Sequence, residues 1–194
     1  MLKKYTLNDI GIPEMEVVDQ IQGLNEILGK YESYIPGEEM NQLVWHNDTT
    51  QTTIYYVDDF IIDLSYFIIE YAQEAHVQKA IANIETKIKL FTQEQILDKL
   101  KDTQKSVQEY ALFIKRLAVT LSESHDYDEA LFEVFCTALK SPSELVRFHT
   151  IFALSYLNWL EFVPFLEKLI PLEKDPDVKN AMQRLVEGYQ KFLT

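Results

Sequence analysis

The sequence predicts an all-α protein, and two observations carry that prediction. Five glycines and six prolines among 194 residues are few, whereas an all-β fold needs many tight turns built from these residues. Apolar residues also recur at alternating steps of three and four along most of the chain, which is the period of a helix buried on one face. We therefore expect helices joined by short connections throughout.

Residues 1–92 are predicted to form an acidic, helical N-terminal part. Pro13 suits the first position of a first helix that ends at Leu28, and Gly29 suits its stop. The same spacing predicts a short helix over 38–45 and a further helix over 77–88.

The stretch from Thr52 to Glu74 is open to two interpretations. Its first residues, TTIYYV, are β-branched and aromatic, which favours a strand. Seven apolar residues between Ile54 and Ala75 nevertheless step by three and four. A strand would also point the adjacent Asp58 and Asp59 to opposite faces. The spacing therefore favours one long helix.

Residues 93–194 contain three similar apolar stripes, which open at Val107, Val146 and Val178. Each stripe follows a polar or proline-containing turn. The first two stripes are each followed by a second apolar helix, over 128–139 and 160–170. Three related helix starts of this kind predict a helical repeat rather than three unrelated helices.

This pattern resembles the HEAT-repeat family, in which a Val-Arg pair opens the first helix and small residues follow. Val146-Arg147, Thr150 and Ala153 stand in those places, while Ser155 replaces the usual glycine. The resemblance covers about residues 93–192 and implies a HEAT-like α-α superhelix, a short solenoid, with residues 1–92 as a divergent helical cap. An unrelated helical bundle is the alternative.

The net charge of −13 is distributed unevenly. From Tyr5 to Gln78 there are fourteen acids and one base, and from Lys101 to the end there are fourteen acids and eleven bases. An acidic field repels nucleic acid and speeds encounters with basic proteins. Solubility alone is the alternative explanation of the acidity.

Catalytic and metal-binding patterns are missing from the sequence. The four histidines lack the spacing of helix-borne metal ligands, and a glycine-rich phosphate loop is absent. The run from His125 to Glu129, HDYDE, is explained by a helix start. Cys136 lies among apolar neighbours and is expected to be buried. We therefore expect no enzymatic activity, no cofactor, no metal and no membrane span, in a cytoplasmic protein.

The expected function is the binding of another protein that is basic. Its most concrete form is an inhibitor of the immunity-protein type that neutralises a toxin, by analogy of composition alone. A scaffold or regulatory adaptor is the second possibility, and a HEAT-like DNA glycosylase or lyase-type enzyme is the third. The residues predicted to bind the partner are four acids and three aromatic anchors: Asp58, Asp59, Asp63, Glu70, Tyr156, Trp159 and Phe162.

Duplex DNA and RNA are not expected to bind at physiological salt, because the acid excess leaves few cations to neutralise phosphates. Fluorescence anisotropy with labelled duplexes measures this directly. A micromolar affinity that falls steeply with added salt would contradict the expectation.

Overall fold

The structure, a computed structural model, describes residues 1–9, 14–102, 104–123 and 127–191. The chain divides into two compact units, Met1–Gln93 and Glu94–Thr194. Unit 1 is built from these elements: β1 (Leu2–Thr6), α1 (Glu14–Gln22), a 3-10 turn (Gly23–Glu26), β2 (Lys30–Ile35), β3 (Met40–Asn47), β4 (Thr52–Asp59), β5 (Leu64–Glu70) and α2 (Glu74–Ile84).

The five strands of unit 1 form one antiparallel sheet in the order β1-β5-β4-β3-β2. Strands β2 to β5 form a meander of three consecutive hairpins. The N-terminal strand β1 pairs antiparallel with β5 and forms one edge of the sheet. Residues from the sheet, α1, the 3-10 turn and α2 share one hydrophobic core, which includes Leu24, Trp45, Ile54, Phe67 and Ile84. The helices therefore cover one face of the sheet, and this core lies between them and the sheet.

The prediction of an all-α fold is therefore wrong. The short helix predicted over 38–45 is strand β3, and the long helix predicted over 52–74 is the β4–β5 hairpin. Ile54 and Phe67 belong to the helix-covered core, while Val57 and Tyr66 are also buried although they point to the opposite face. Strands buried on both faces carry nearly continuous apolar runs, which match a three-four spacing by chance.

Unit 2 is helical in its described part. Its elements are α3 (Gln93–Lys101), α4 (Val107–Leu121), α5 (Glu129–Leu139), α6 (Glu144–Leu154), α7 (Phe162–Leu169), a 3-10 turn (Ile170–Leu172) and α8 (Pro176–Lys191). Helix α6 packs against α4, α5 and α8. Side chains cap two of these helices: Ser106 forms a capping box with Glu109 at the start of α4, and Asp128 caps α5 by accepting from the Leu131 amide at 3.0 Å.

The HEAT-like solenoid with a helical cap over residues 1–92 is also a wrong prediction, because a five-stranded antiparallel sheet precedes the helices. The residues that carried the resemblance have local roles instead. Thr150 and Ala153 are buried within α6. Arg147 donates to the Glu173 carboxylate at 2.7 and 2.8 Å and to the carbonyls of Ser141 and Pro142. Small buried residues and a tethering arginine occur in many helical packings, so they do not identify a repeat.

Two further side chains of unit 2, those of Tyr189 and Cys136, are buried. The Tyr189 hydroxyl lies 2.7 Å from the Leu154 carbonyl and 2.8 Å from the Leu157 carbonyl, which ties α8 to the end of α6. Cys136 is buried, and burial raises the pKa of its thiol to about 11. At neutral pH this thiol is protonated, which suits a packing role.

None of the helices that the structure describes combines the length and the apolar character needed to span a bilayer.

Two glycines give opposite expectations for the stability of the fold. Gly29 has a φ of +127°, and a Cβ there would lie 2.6 Å from the His46 carbonyl oxygen. Gly29→Ala should therefore lower the free energy of unfolding by about 2 kcal/mol or more. Gly188 lies in α8, where an added Cβ would meet no atom within 4 Å, so Gly188→Ala should raise it by about 0.5–1 kcal/mol. Denaturant titration compares the two, and a similar response from both would contradict the structure at Gly29.

Candidate functional site

Two loops of unit 1 meet at one end of the sheet. The β2–β3 connection covers residues 36–39 and the β4–β5 turn covers residues 60–63. Their proximity follows from the register, because Met40 pairs with Asp59 at the ends of β3 and β4. The Phe60 amide also donates to the Glu39 carbonyl at 2.9 Å. The two loops thus form one joined surface.

The Asp59 carboxylate organises the β4–β5 turn. Its Oδ1 accepts hydrogen bonds from the amides of Ile61 (3.1 Å) and Ile62 (3.3 Å), and its Oδ2 accepts one from the Tyr66 hydroxyl (3.1 Å). Asp59 is fully buried, at 0% exposure. A carboxylate pays a large desolvation cost unless donors surround it, and these bonds supply such donors. The amides of residues 60, 61 and 62 are therefore all bonded.

Asp63 completes the turn with a φ of +52°, in the left-handed region. Aspartate enters this region more readily than β-branched residues do, because its short polar side chain can bond locally. This conformation of Asp63 leads the chain from the buried Ile62 into β5, which begins at Leu64. Ile61, one position before Ile62, points outward.

The two loops and the last residue of β2 together present exposed apolar side chains and acids. Phe60 is 49% exposed, Ile61 45% and Ile35 47%. Glu38, Glu39 and Asp63 are exposed beside them. We name this surface the acidic tip and define it by six residues: Ile35, Glu38, Glu39, Phe60, Ile61 and Asp63. Large apolar side chains held on a bonded backbone and surrounded by charge are typical of protein-docking surfaces.

The predicted acids fall into different places in the structure. Asp58, Asp59 and Asp63 lie in or beside the same turn, but only Asp63 is exposed. Asp58 is half-buried and accepts from the Ser65 hydroxyl at 3.0 Å. Glu70 lies at the opposite end of β5, where it accepts from the Tyr55 hydroxyl at 3.4 Å.

The predicted aromatic anchors belong to the packing of unit 2. Trp159 and Phe162 are buried and stack on each other, with ring centroids 6.0 Å apart. Phe132 stacks on Phe162 at 4.7 Å, and Tyr127 meets Trp159 edge-on at 5.6 Å. Tyr156 is half-buried. Neither Trp159 nor Phe162 offers the surface that an anchor needs.

Phe60 and Ile61 are exposed apolar side chains that the sequence pattern did not single out. The helical interpretation of 52–74 placed Ile61 on a buried stripe and Phe60 beside it. A turn signal existed in the adjacent acids Asp58 and Asp59, since aspartate often bonds its own backbone two residues on. A turn at these acids places the next two residues at a loop tip.

Among residues 1–9, 14–102, 104–123 and 127–191, no group of three His, Cys, Asp or Glu residues is arranged to hold a metal ion. The HDYDE run lies partly outside the described residues, at His125 and Asp126. Within it, Asp128 caps α5 as a helix start requires.

No protein-family model, curated protein or solved structure matches the chain. The geometry and charge of the acidic tip therefore carry the functional inference.

The importance of Asp59 for the tip is tested by comparing it with its neighbour. Asp59→Ala should lower the free energy of unfolding by about 3 kcal/mol or more, because it leaves buried donors without their acceptor. Asp58→Ala loses one bond at a half-buried position and should cost about 1 kcal/mol or less. Urea denaturation of both variants measures the difference. Equal costs would mean that the carboxylate does not organise the turn.

Proposed function

We propose that this protein is a non-enzymatic binding protein and that the acidic tip engages a basic protein partner. The observation that carries the proposal is the exposed pair Phe60 and Ile61, held on bonded backbone next to Glu38 and Glu39. The proposed partner is the basic protein expected from the sequence. The contact is assigned to the exposed residues of the acidic tip instead of the aromatic residues of unit 2.

The two kinds of residue at the tip are expected to contribute differently. Exposed carboxylates attract a basic surface over a distance of about 10 Å at 0.1 M salt, and they chiefly raise the association rate. An apolar side chain that becomes buried on binding resists dissociation, and a central aromatic anchor contributes about 2 kcal/mol or more. Phe60 is the natural anchor because it is the largest exposed side chain of the tip.

The charge surrounding the tip supports a basic partner over an acidic one. Unit 1 carries fifteen acids and six bases, and its only basic residue between Tyr5 and Gln78 is Lys30. An acidic partner would face repulsion at the rim and gain no compensating cation from the tip residues. An inhibitor of a basic toxin and a scaffold for a basic subunit both fit this description, and the partner's own activity distinguishes them.

The tip can be tested with matched variants and the partner captured from an extract of the producing cells. Phe60→Ala should raise the dissociation rate about tenfold or more, while Val18→Ala on α1, a similarly exposed apolar residue, should leave it unchanged. Surface plasmon resonance separates the two rates.

The contribution of the tip's carboxylates to the association rate is tested against a charge-matched control. Glu38→Lys with Glu39→Lys should slow association, and the effect should shrink at high salt. Asp19→Lys with Glu26→Lys changes the net charge equally but lies on α1 and the 3-10 turn, so its effect should be smaller. Recovery of an acidic partner, or equal effects of both double variants, would contradict the proposal.

A further inference from the structure

A second surface, in unit 2, has the opposite charge from the acidic tip. Two clefts border the turn between α5 and α6, one of about 600 Å³ and one of about 320 Å³. Ser141 and Pro142 line both clefts, so the clefts adjoin each other across this turn. We name the pair the α5–α6 groove.

The floor of the groove is apolar. Leu100, Val107 and Tyr110 line the larger cleft, while Leu172 and Met182 line the smaller one. Val107 is 43% exposed and Leu172 is 72% exposed. Exposed apolar residues inside a concave surface are the usual floor of a site that takes an apolar group.

The rim of the groove is cationic. Lys101, Lys105 and Lys140 line the larger cleft, and Arg147 and Lys174 line the smaller one. The acids lining the two clefts are Asp102 and Glu173. Five cations against two acids is the reverse of the balance of the whole chain, whose net charge is −13.

The charges of the rim are not equally available. Arg147 and Glu173 pair with each other, and the Arg147 guanidinium lowers the pKa of the Glu173 carboxyl, so this acid stays ionised and engaged. Lys105 donates to the Asp102 carbonyl and lies 5.8 Å from the Tyr110 ring centroid. Its partial burial lowers the pKa of its ammonium, and a bound anion would favour the charged form.

Lys101 pairs with Asp98 at 3.1 Å, and the Lys140 ammonium lies 5.1 Å from the Phe165 ring centroid. Within the described residues, Lys105 and Lys140 are thus the lysines of the larger cleft that form no ion pair, and their charge is the one offered to a ligand.

We propose that the α5–α6 groove binds a short acidic peptide segment of a second protein, with an apolar side chain on the floor and carboxylates at the lysines. A peptide fits better than a fatty acid, because the clefts are open and their cations are spread along the rim. An acyl chain is better served by an enclosed apolar cavity with its polar group at one end. This inference is independent of the acidic tip, which lies in unit 1 and takes a basic partner.

The experiment is selection from a random heptapeptide display library on the immobilised full chain, with subtraction on the variant Lys105→Glu with Lys140→Glu. The peptides retained should carry both Asp or Glu and Leu or Phe. Their affinity should fall about tenfold or more in that variant and severalfold in Val107→Ser. Lys168→Glu with Arg184→Glu, which changes two exposed cations of unit 2 outside the groove, should bind as the wild type does.

Three outcomes would overturn the inference. The selected peptides could lack acids, or they could bind the groove variant and the wild type equally. The chain could also associate with itself through the groove, since its own acidic tip carries acids and apolar residues. Light scattering at several concentrations identifies this last case, and a dimer lost in Lys105→Glu with Lys140→Glu would replace the peptide by a second copy.

Discussion

The buried carboxylate of Asp59 is the interaction on which the acidic tip depends. It sits at the end of β4, in register with Met40 of β3, and it accepts hydrogen bonds from the next turn and from Tyr66 of β5. One side chain thus joins the turn to two strands of the sheet. Because its desolvation is offset only while these donors are in place, the carboxylate favours one conformation of the turn over others. That conformation leaves Phe60 and Ile61 outside the core.

The distribution of charge gives the protein two surfaces of unlike character. Acids surround exposed apolar residues at the tip of unit 1, and lysines surround an apolar floor in the α5–α6 groove of unit 2. In both places the charged rim is suited to attract a partner, and the apolar area is suited to hold it. Rim charges act mainly on the association rate, whereas side chains buried on binding act mainly on the dissociation rate.

The sequence allowed the helices of unit 2 to be predicted, but not the sheet. Helix starts depend on local signals, and the start inferred within the HDYDE run is observed, because Asp128 caps α5. The hairpin of β4 and β5 is buried on both faces, so Ile54 and Val57 are both apolar although they point to opposite sides. The adjacent acids Asp58 and Asp59 also point to opposite faces of the sheet. This was an argument against a strand because both acids were expected to lie in solvent, whereas Asp59 is in fact buried and hydrogen-bonded. Local sequence patterns could not predict the acidic tip, because residues 38–39 and 60–63 come together only through the register of β3 with β4.

The most direct test of the central claim is amide hydrogen exchange at the β4–β5 turn, followed by NMR in the free protein. If the Asp59 carboxylate holds the turn, the amides of Ile61 and Ile62 should exchange much more slowly than unprotected amides, even though the Ile61 side chain is exposed. In Asp59→Asn, the amide group keeps one acceptor oxygen but loses the charge, so protection should fall while the sheet stays folded. Exchange of both amides at the rate of an unstructured chain in the wild type would contradict the account.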